Sequence, residues 1–173
     1  MRTMNRYLVH IVLLIGLSAV SFVVAGERNI ESSLYSGFKS VEKFGRLNIS
    51  LEGSAEKIGL KKNDLVDYLR LQFTNSFRGM AYKDVENISE MSKDKEKAKT
   101  IAVIHIKIWT VGDVYPIAYH IEINAGNLAN MREYEAAILG YGSKRNVPES
   151  VRTSIAQLVD DLAITFFKAR SEL

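Results

Sequence analysis

The chain of 173 residues contains no cysteine. This absence excludes a lipid-modified N-terminal cysteine, a disulfide framework, a thiolate metal site and a cysteine nucleophile. A large net charge is missing too. Of the 23 lysines and arginines, Arg2 and Arg6 lie in the first 25 residues, which leaves 21 to balance 20 aspartates and glutamates. Because the remainder lacks the basic surplus of nucleic-acid-binding proteins, no nucleic-acid partner is predicted.

Recognisable catalytic signatures are also missing. The glycine-rich stretch 140–146 does not contain the Walker pattern G-x-x-x-x-G-K-[ST]. The Ser-x-x-Lys pattern of penicillin-recognising enzymes occurs four times, at 36–39, 40–43, 54–57 and 92–95, without the Ser-Asp-Asn or Lys-Thr-Gly patterns that accompany it there. So many matches in a small chain show that the pattern is not specific. The sequence predicts no cofactor and favours binding over catalysis.

The first 25 residues have the layout of a secretory signal. Arg2 and Arg6 precede a nearly unbroken apolar run, residues 7–25, which is longer than the usual signal core and just long enough to span a bilayer. Ala25, with Val23 two residues earlier, favours cleavage that leaves Gly26 as the first residue. The alternative is an uncleaved anchor that holds the protein at the membrane through residues 7–25. Both interpretations place the rest of the chain in the periplasm.

Two regions follow this segment. Residues 26–43 carry a possible helical stripe that is interrupted by serines and glycines, and they are predicted to be a linker or partly ordered segment. Residues 44–173 have the usual size of one domain with its own hydrophobic core, and they are predicted to form a single α+β domain.

Hydrophobic periodicity predicts the elements of this domain. Alternating apolar residues at 47, 49 and 51 predict a strand, and a four-residue spacing predicts an amphipathic helix over 64–77. A short strand is expected around 81–88, a solvated charged loop over 92–99, and a further strand over 134–141. Pro148 and a continuous apolar stripe predict a long helix over 148–170.

The clearest strand pattern lies in residues 100–124. Two alternating runs flank Gly112 and Asp113, a dipeptide typical of two-residue hairpin loops. With that loop, paired residue numbers sum to 225, and His105 lies opposite His120. The register places isoleucines of the two strands on one core face. The order β-α-(β)-β-β-β-α therefore predicts an α+β two-layer sandwich, in which two helices pack on one face of a mainly antiparallel sheet of four to five strands.

The other face of this hairpin is the predicted binding surface, formed by His105, Lys107, Trp109, Pro116 and His120. Aromatic and basic side chains on an uncovered sheet face are typical of interfaces, and Trp109 is the only tryptophan. Coverage of this face by residues 26–43 or by a helix is the competing interpretation.

Two further sites are weighed from the residues. In the predicted register, His105, His120 and Glu122 supply ligand types that suit zinc or copper, which gives a metal-binding protein or metal-dependent hydrolase as the alternative function. A possible anion site precedes the last helix, where glycine-rich backbone and two cations meet a helix start. Its residues are Gly140, Gly142, Ser143, Lys144 and Arg145.

Together these features predict an exported cell-envelope protein. Its expected role is that of a non-catalytic binding or accessory module for a protein or a lipid-like partner.

Overall fold

A computed structural model describes residues 34–173. The predicted signal or anchor, residues 1–25, and the first part of the predicted linker lie outside the described residues. The helices and strands are, in chain order, β1 (Lys43–Gly53), α1 (Lys62–Ser76), β2 (Ala81–Tyr82), α2 (Ile88–Met91), α3 (Lys95–Thr100), β3 (Ile101–Val111), β4 (Ile117–Asn127), β5 (Asn130–Gly142) and α4 (Val147–Ala169). Two short 3₁₀ helices, Ser36–Ser40 and Glu56–Ile58, flank β1.

The five strands form one sheet in the order β2-β1-β3-β4-β5, and the long helices α1 and α4 pack together on one face. Strand β4 runs antiparallel to both of its neighbours, β3 and β5. This α+β architecture confirms the predicted fold class. Strand β1 pairs in parallel with β3 and with β2, which hydrophobic alternation alone does not predict, because it gives the face of a strand and not its neighbours.

The core lies between the sheet and the two long helices. Ile104, Ile106 and Ile108 are fully buried on β3, as the alternation predicts. Helix α1 contributes three buried residues at four-residue spacing, and α4 contributes a stripe that runs along its whole length. The phenylalanine rings form the densest part of the core: ring centroids lie 4.8 to 5.5 Å from that of Phe44 for Phe73, Phe77 and Phe166.

The predicted hairpin register is wrong. Strand β3 pairs with β4 so that residue numbers sum to 229, with Ile108 opposite Ile121 and Trp109 opposite His120. His105 therefore lies opposite Asn124 and not opposite His120. In the predicted register Pro116 would occupy the ladder, where it has no amide hydrogen to donate. In the structure it lies before β4, in a five-residue connection, 112–116, that begins at Gly112 with φ of 88°.

Residues 81–100 also differ from the expectation. The strand predicted around 81–88 is limited to β2, Ala81–Tyr82. The stretch expected as a charged loop includes α3, whose first turn is capped by the Asp94 side chain accepting a hydrogen bond from the amide of Lys97. Helix α3 forms because Ala98 and Ile101 are buried in a small second cluster with Val103 and Leu128.

Part of the predicted linker packs on the domain. Phe38 is fully buried, with its ring centroid 5.2 Å from that of Phe166 in α4. At the end of α4, Arg170 donates hydrogen bonds to the carbonyl oxygens of Phe38 and Val41 at 3.2 and 2.6 Å. The amide of Gly37 donates to Glu133 Oε1 at 2.7 Å. Residues 37–41 are thus attached to the C-terminal end of α4 and to β5.

In the part of the chain that the structure describes, no helix combines the length and the hydropathy needed to cross a bilayer.

Candidate functional site

The face of the sheet opposite α1 and α4, here named the open face, carries the predicted binding residues. Cross-strand pairing arranges its side chains in rows that cross β3, β4 and β5. Helices α2 and α3 cover one end of this face, at the start of β3 and at Leu128 between β4 and β5. Within residues 34–173 neither long helix nor the segment 34–43 lies on the remainder, because they pack on the core side. The structure thus leaves the face accessible around Trp109.

The end of the open face near the 112–116 connection is apolar. Trp109, 48% exposed, lies in one row with His120 and Leu139, and Leu139 is 77% exposed. The next row joins Val111, Ala118 and Tyr141, and the Tyr141 side chain is also largely exposed. We name this part of the surface the apolar tip; its large residues are Trp109, Val111, Val114, Tyr115, Leu139 and Tyr141.

The other half of the open face is polar. Lys107 pairs with Glu52 of β1 across 3.2 Å between Nζ and Oε1. His105 Nε2 lies 3.1 Å from the Ser50 hydroxyl. Burial of part of the imidazole lowers the pKa of His105 below its ordinary value of 6.5, against the opposing charge of Glu122. The ring is therefore neutral at pH 7 and forms a hydrogen bond to a hydroxyl without adding positive charge.

Of the five predicted binding residues, His105, Lys107 and Trp109 lie on alternate positions of β3, on this face. His120 lies beside Trp109 on β4 and is partly buried. Pro116 is exposed in the connection that leads into β4. His105, Lys107, Trp109 and His120 therefore form a continuous band from the polar half to the apolar tip, and Pro116 lies outside the sheet.

The alternative metal site depends on His105 lying opposite His120, and the observed register separates them. His105 faces Asn124, while Glu122 faces Lys107 and His120 faces Trp109. Among residues 34–173, no group of three or more histidine, aspartate or glutamate side chains is placed to hold a metal ion.

The candidate anion residues are divided between two elements. Gly140 and Gly142 lie within β5 and not in a loop. Gly140 lies opposite Tyr119, and any side chain at position 140 would collide with the Tyr119 ring. This close contact gives a structural reason for glycine at position 140, which the sequence analysis assigned to a possible anion site. Ser143, Lys144 and Arg145 form the turn before α4, where the Ser143 carbonyl accepts hydrogen bonds from the Asn146 and Val147 amides.

Sequence reasoning missed Leu139 and Tyr141. The predicted strand over 134–141 places Ala136, Ile138 and Gly140 towards the core, so its alternation already turns residues 139 and 141 outwards. An exposed leucine and tyrosine on the solvent side of a strand are the signal that identifies them. Their proximity to Trp109 follows only from the strand order.

No model of a known protein family matches the chain, and no curated protein matches it either. Among solved structures, the chain is similar to the PelC dodecamer from Paraburkholderia phytofirmans, seen in two crystal forms. The TM-score is 0.47 in each case, with 12% identity, and the match covers 71% of this chain and 90% of that chain in one form, and 70% and 87% in the other. This similarity is too low to assign a function or a mode of assembly.

Proposed function

We propose that this protein is a non-catalytic binding module of the cell envelope that takes a protein partner on its open face. The observation that carries the proposal is the apolar tip: Trp109, Leu139 and Tyr141 are neighbours on a regular sheet, and all three are exposed. Clustered exposed aromatic and aliphatic side chains beside a polar rim are typical of protein interfaces. The sheet holds these side chains in fixed positions, so little conformational entropy is lost on binding.

The polar half of the face favours a protein over a lipid surface. The carboxylates of the open face, Glu52, Glu122 and Glu135, outnumber its cations, Arg46 and Lys107. Negative charge repels the anionic headgroups that attract membrane-bound domains. A partner protein can instead match acidic and basic groups individually. A binding test therefore includes lipid vesicles as the competing partner.

The location in the envelope is part of the same proposal and rests on residues 1–25. Cleavage after Ala25 gives an exported periplasmic protein, and retention gives a membrane-anchored one. Mass spectrometry of the exported protein distinguishes them, because the first residue is Gly26 in one case and Met1 in the other. A chain found only in the cytoplasm with Met1 intact would contradict export.

The first prediction tests the open face through Trp109. Because this is the only tryptophan, its fluorescence reports on this site alone, and the emission should shift to shorter wavelength when a partner identified by mild detergent extraction is added. Trp109→Ala should leave the circular dichroism spectrum and melting temperature nearly unchanged, because the side chain is half exposed, but it should weaken the complex. Lys107→Glu should also weaken the complex, because it removes the ion pair with Glu52.

The matched control is Leu71→Ala, which removes an exposed leucine from α1 on the other layer. It should leave the complex intact. A fall of many degrees in the melting temperature of Trp109→Ala would show that the residue is core and would contradict the proposal. A shift of emission with lipid vesicles alone would contradict the choice of a protein partner.

A further inference from the structure

The two edges of the sheet are built differently. One edge is divided between β2, Ala81–Tyr82, which pairs only with Lys43 and Phe44, and the rest of β1. The other is β5, which has 13 residues, Asn130–Gly142, and pairs only with β4 among the described residues. In an antiparallel ladder, alternate residues of the edge strand direct their amide and carbonyl groups away from the sheet. Strand β5 therefore offers a long row of backbone donors and acceptors.

The second half of this edge lacks the features that keep edge strands apart. Natural edges are commonly protected by proline, lysine, bulges or inward-pointing charges. Residues 136–142 contain no proline and no charged side chain, and their pairing with β4 is regular. The register shift in the β4–β5 ladder lies at its far end, between Ala125 and Asn127. An additional strand thus meets no local obstacle along residues 136–142.

The charges at the two ends of this stretch are opposite. Glu135 lies just before it, and Lys144 and Arg145 lie just after it; all three are exposed. Among the described residues, no hydrogen bond or ion pair joins any of the three to another side chain. When two copies of such a strand pair antiparallel, the start of each lies beside the end of the other. The acidic end of each strand then lies near the basic end of the other strand. Two-fold symmetry produces this contact twice in the dimer.

From this we infer that β5 pairs antiparallel with β5 of a second copy of this chain. Side chains share a face only if paired residue numbers have an even sum. A sum of 280 places Gly140 on the symmetry axis and Leu139 opposite Tyr141 of the partner subunit. It also brings Glu135 towards the turn after β5 that holds Lys144 of the partner subunit and Arg145 of the partner subunit. The dimer has one continuous sheet of ten strands, and its two apolar tips lie next to each other on the same side.

This inference does not rest on the proposed function, because it concerns the edge of the sheet and not its face. Its test is a charge exchange between copies of the full chain that carry two different affinity tags. Glu135→Arg and Arg145→Glu should each weaken self-association about tenfold, because each places like charges together at both contacts. An equal mixture of the two variants should associate like the unsubstituted protein, since every contact then joins opposite charges.

Sedimentation and co-purification of the two tags measure these associations. Glu56→Arg is the matched control, because it reverses an exposed glutamate in the 3₁₀ helix after β1, away from β5; it should leave self-association unchanged. Circular dichroism checks that each variant is folded. A protein that stays monomeric up to millimolar concentration would overturn the inference, and so would association that neither charge reversal weakens or that the mixture fails to restore.

Discussion

Tyr134 is the residue whose chemistry the fold changes most clearly. It lies on the inward side of β5 and is buried, with its ring centroid 6.0 Å from that of Tyr35. Burial raises the pKa of Tyr134 to about 12 from 10.0, and the negative charge of Asp161 and the neighbouring Tyr35 act in the same direction. The neutral phenol is therefore the form that the folded protein holds.

This shift predicts an alkaline loss of stability. Between pH 10 and about 12 the unfolded chain releases the phenolic proton while the folded protein keeps it, so the free energy of unfolding should fall as pH rises through this range. Below pH 10 the contribution is fully present. Absorbance titration of tyrosinate should show a late-titrating group that disappears in Tyr134→Phe.

Tyr141→Phe is the control for this titration, because it removes an exposed hydroxyl from the same strand. It should leave the late-titrating group in place. Persistence of that group in Tyr134→Phe would show that the buried tyrosine has been assigned wrongly.

At the scale of the elements, the alternation of apolar residues predicted which side chains of a strand face the core. It could not predict which residues of the neighbouring strand they lie opposite. The change of the hairpin sum from 225 to 229 is an even shift, so Ile104, Ile106 and Ile108 stay on the core face in both registers. Hydrophobic pattern alone does not distinguish registers that differ by an even number of residues. The length of the connection decides between them. A two-residue loop was predicted, although Pro116, which has no amide hydrogen to donate to a ladder, is a signal for a longer connection.

The two long helices were predictable because their stripes are long and periodic. The predicted spans, 64–77 and 148–170, differ from α1 and α4 by no more than two residues at any end. The short elements were less predictable. Helix α3 depends on the burial of Ala98 against Ile101, a tertiary contact that a stretch of alternating lysines and acids does not reveal.

Helix α1 supplies a prediction with an internal control. Leu69 is fully buried against the sheet, whereas Leu71, two residues later, is 55% exposed. Leu69→Ala should lower the free energy of unfolding by ~2–5 kcal/mol, because it leaves a cavity in the core. Leu71→Ala should change it by less than about 0.5 kcal/mol. Leu158→Ala in α4 should resemble Leu69→Ala, and urea denaturation measures all three.

Equal effects of Leu69→Ala and Leu71→Ala would contradict this orientation of α1. If only Leu158→Ala lowered the free energy of unfolding strongly, the orientation of α1 would be wrong, whereas the packing of α4 would be supported.

At the scale of the whole molecule, the open face is a consequence of strand order. Sequence reasoning placed His105, Lys107 and Trp109 on one face, but the apolar tip becomes visible only when β5 lies next to β4 and brings Leu139 beside His120. The parallel return of the chain from β1 to β3 likewise places Glu52 within reach of Lys107. Both contacts join residues far apart in the sequence, where local patterns carry no information.

The extent of the domain gives the last prediction. A chain of residues 44–173, the domain predicted from sequence, lacks Phe38 and Val41 and deprives Arg170 of its carbonyl partners. Loss of a buried phenylalanine side chain alone costs ~3–5 kcal/mol. The chain 44–173 should therefore unfold at a clearly lower urea concentration than the chain 34–173. In the longer chain, Phe38→Ala should reproduce most of the difference, whereas Lys39→Ala, at an exposed neighbour, should not. Equal stability of the two chains would show that residues 34–43 rest on the domain without stabilising it.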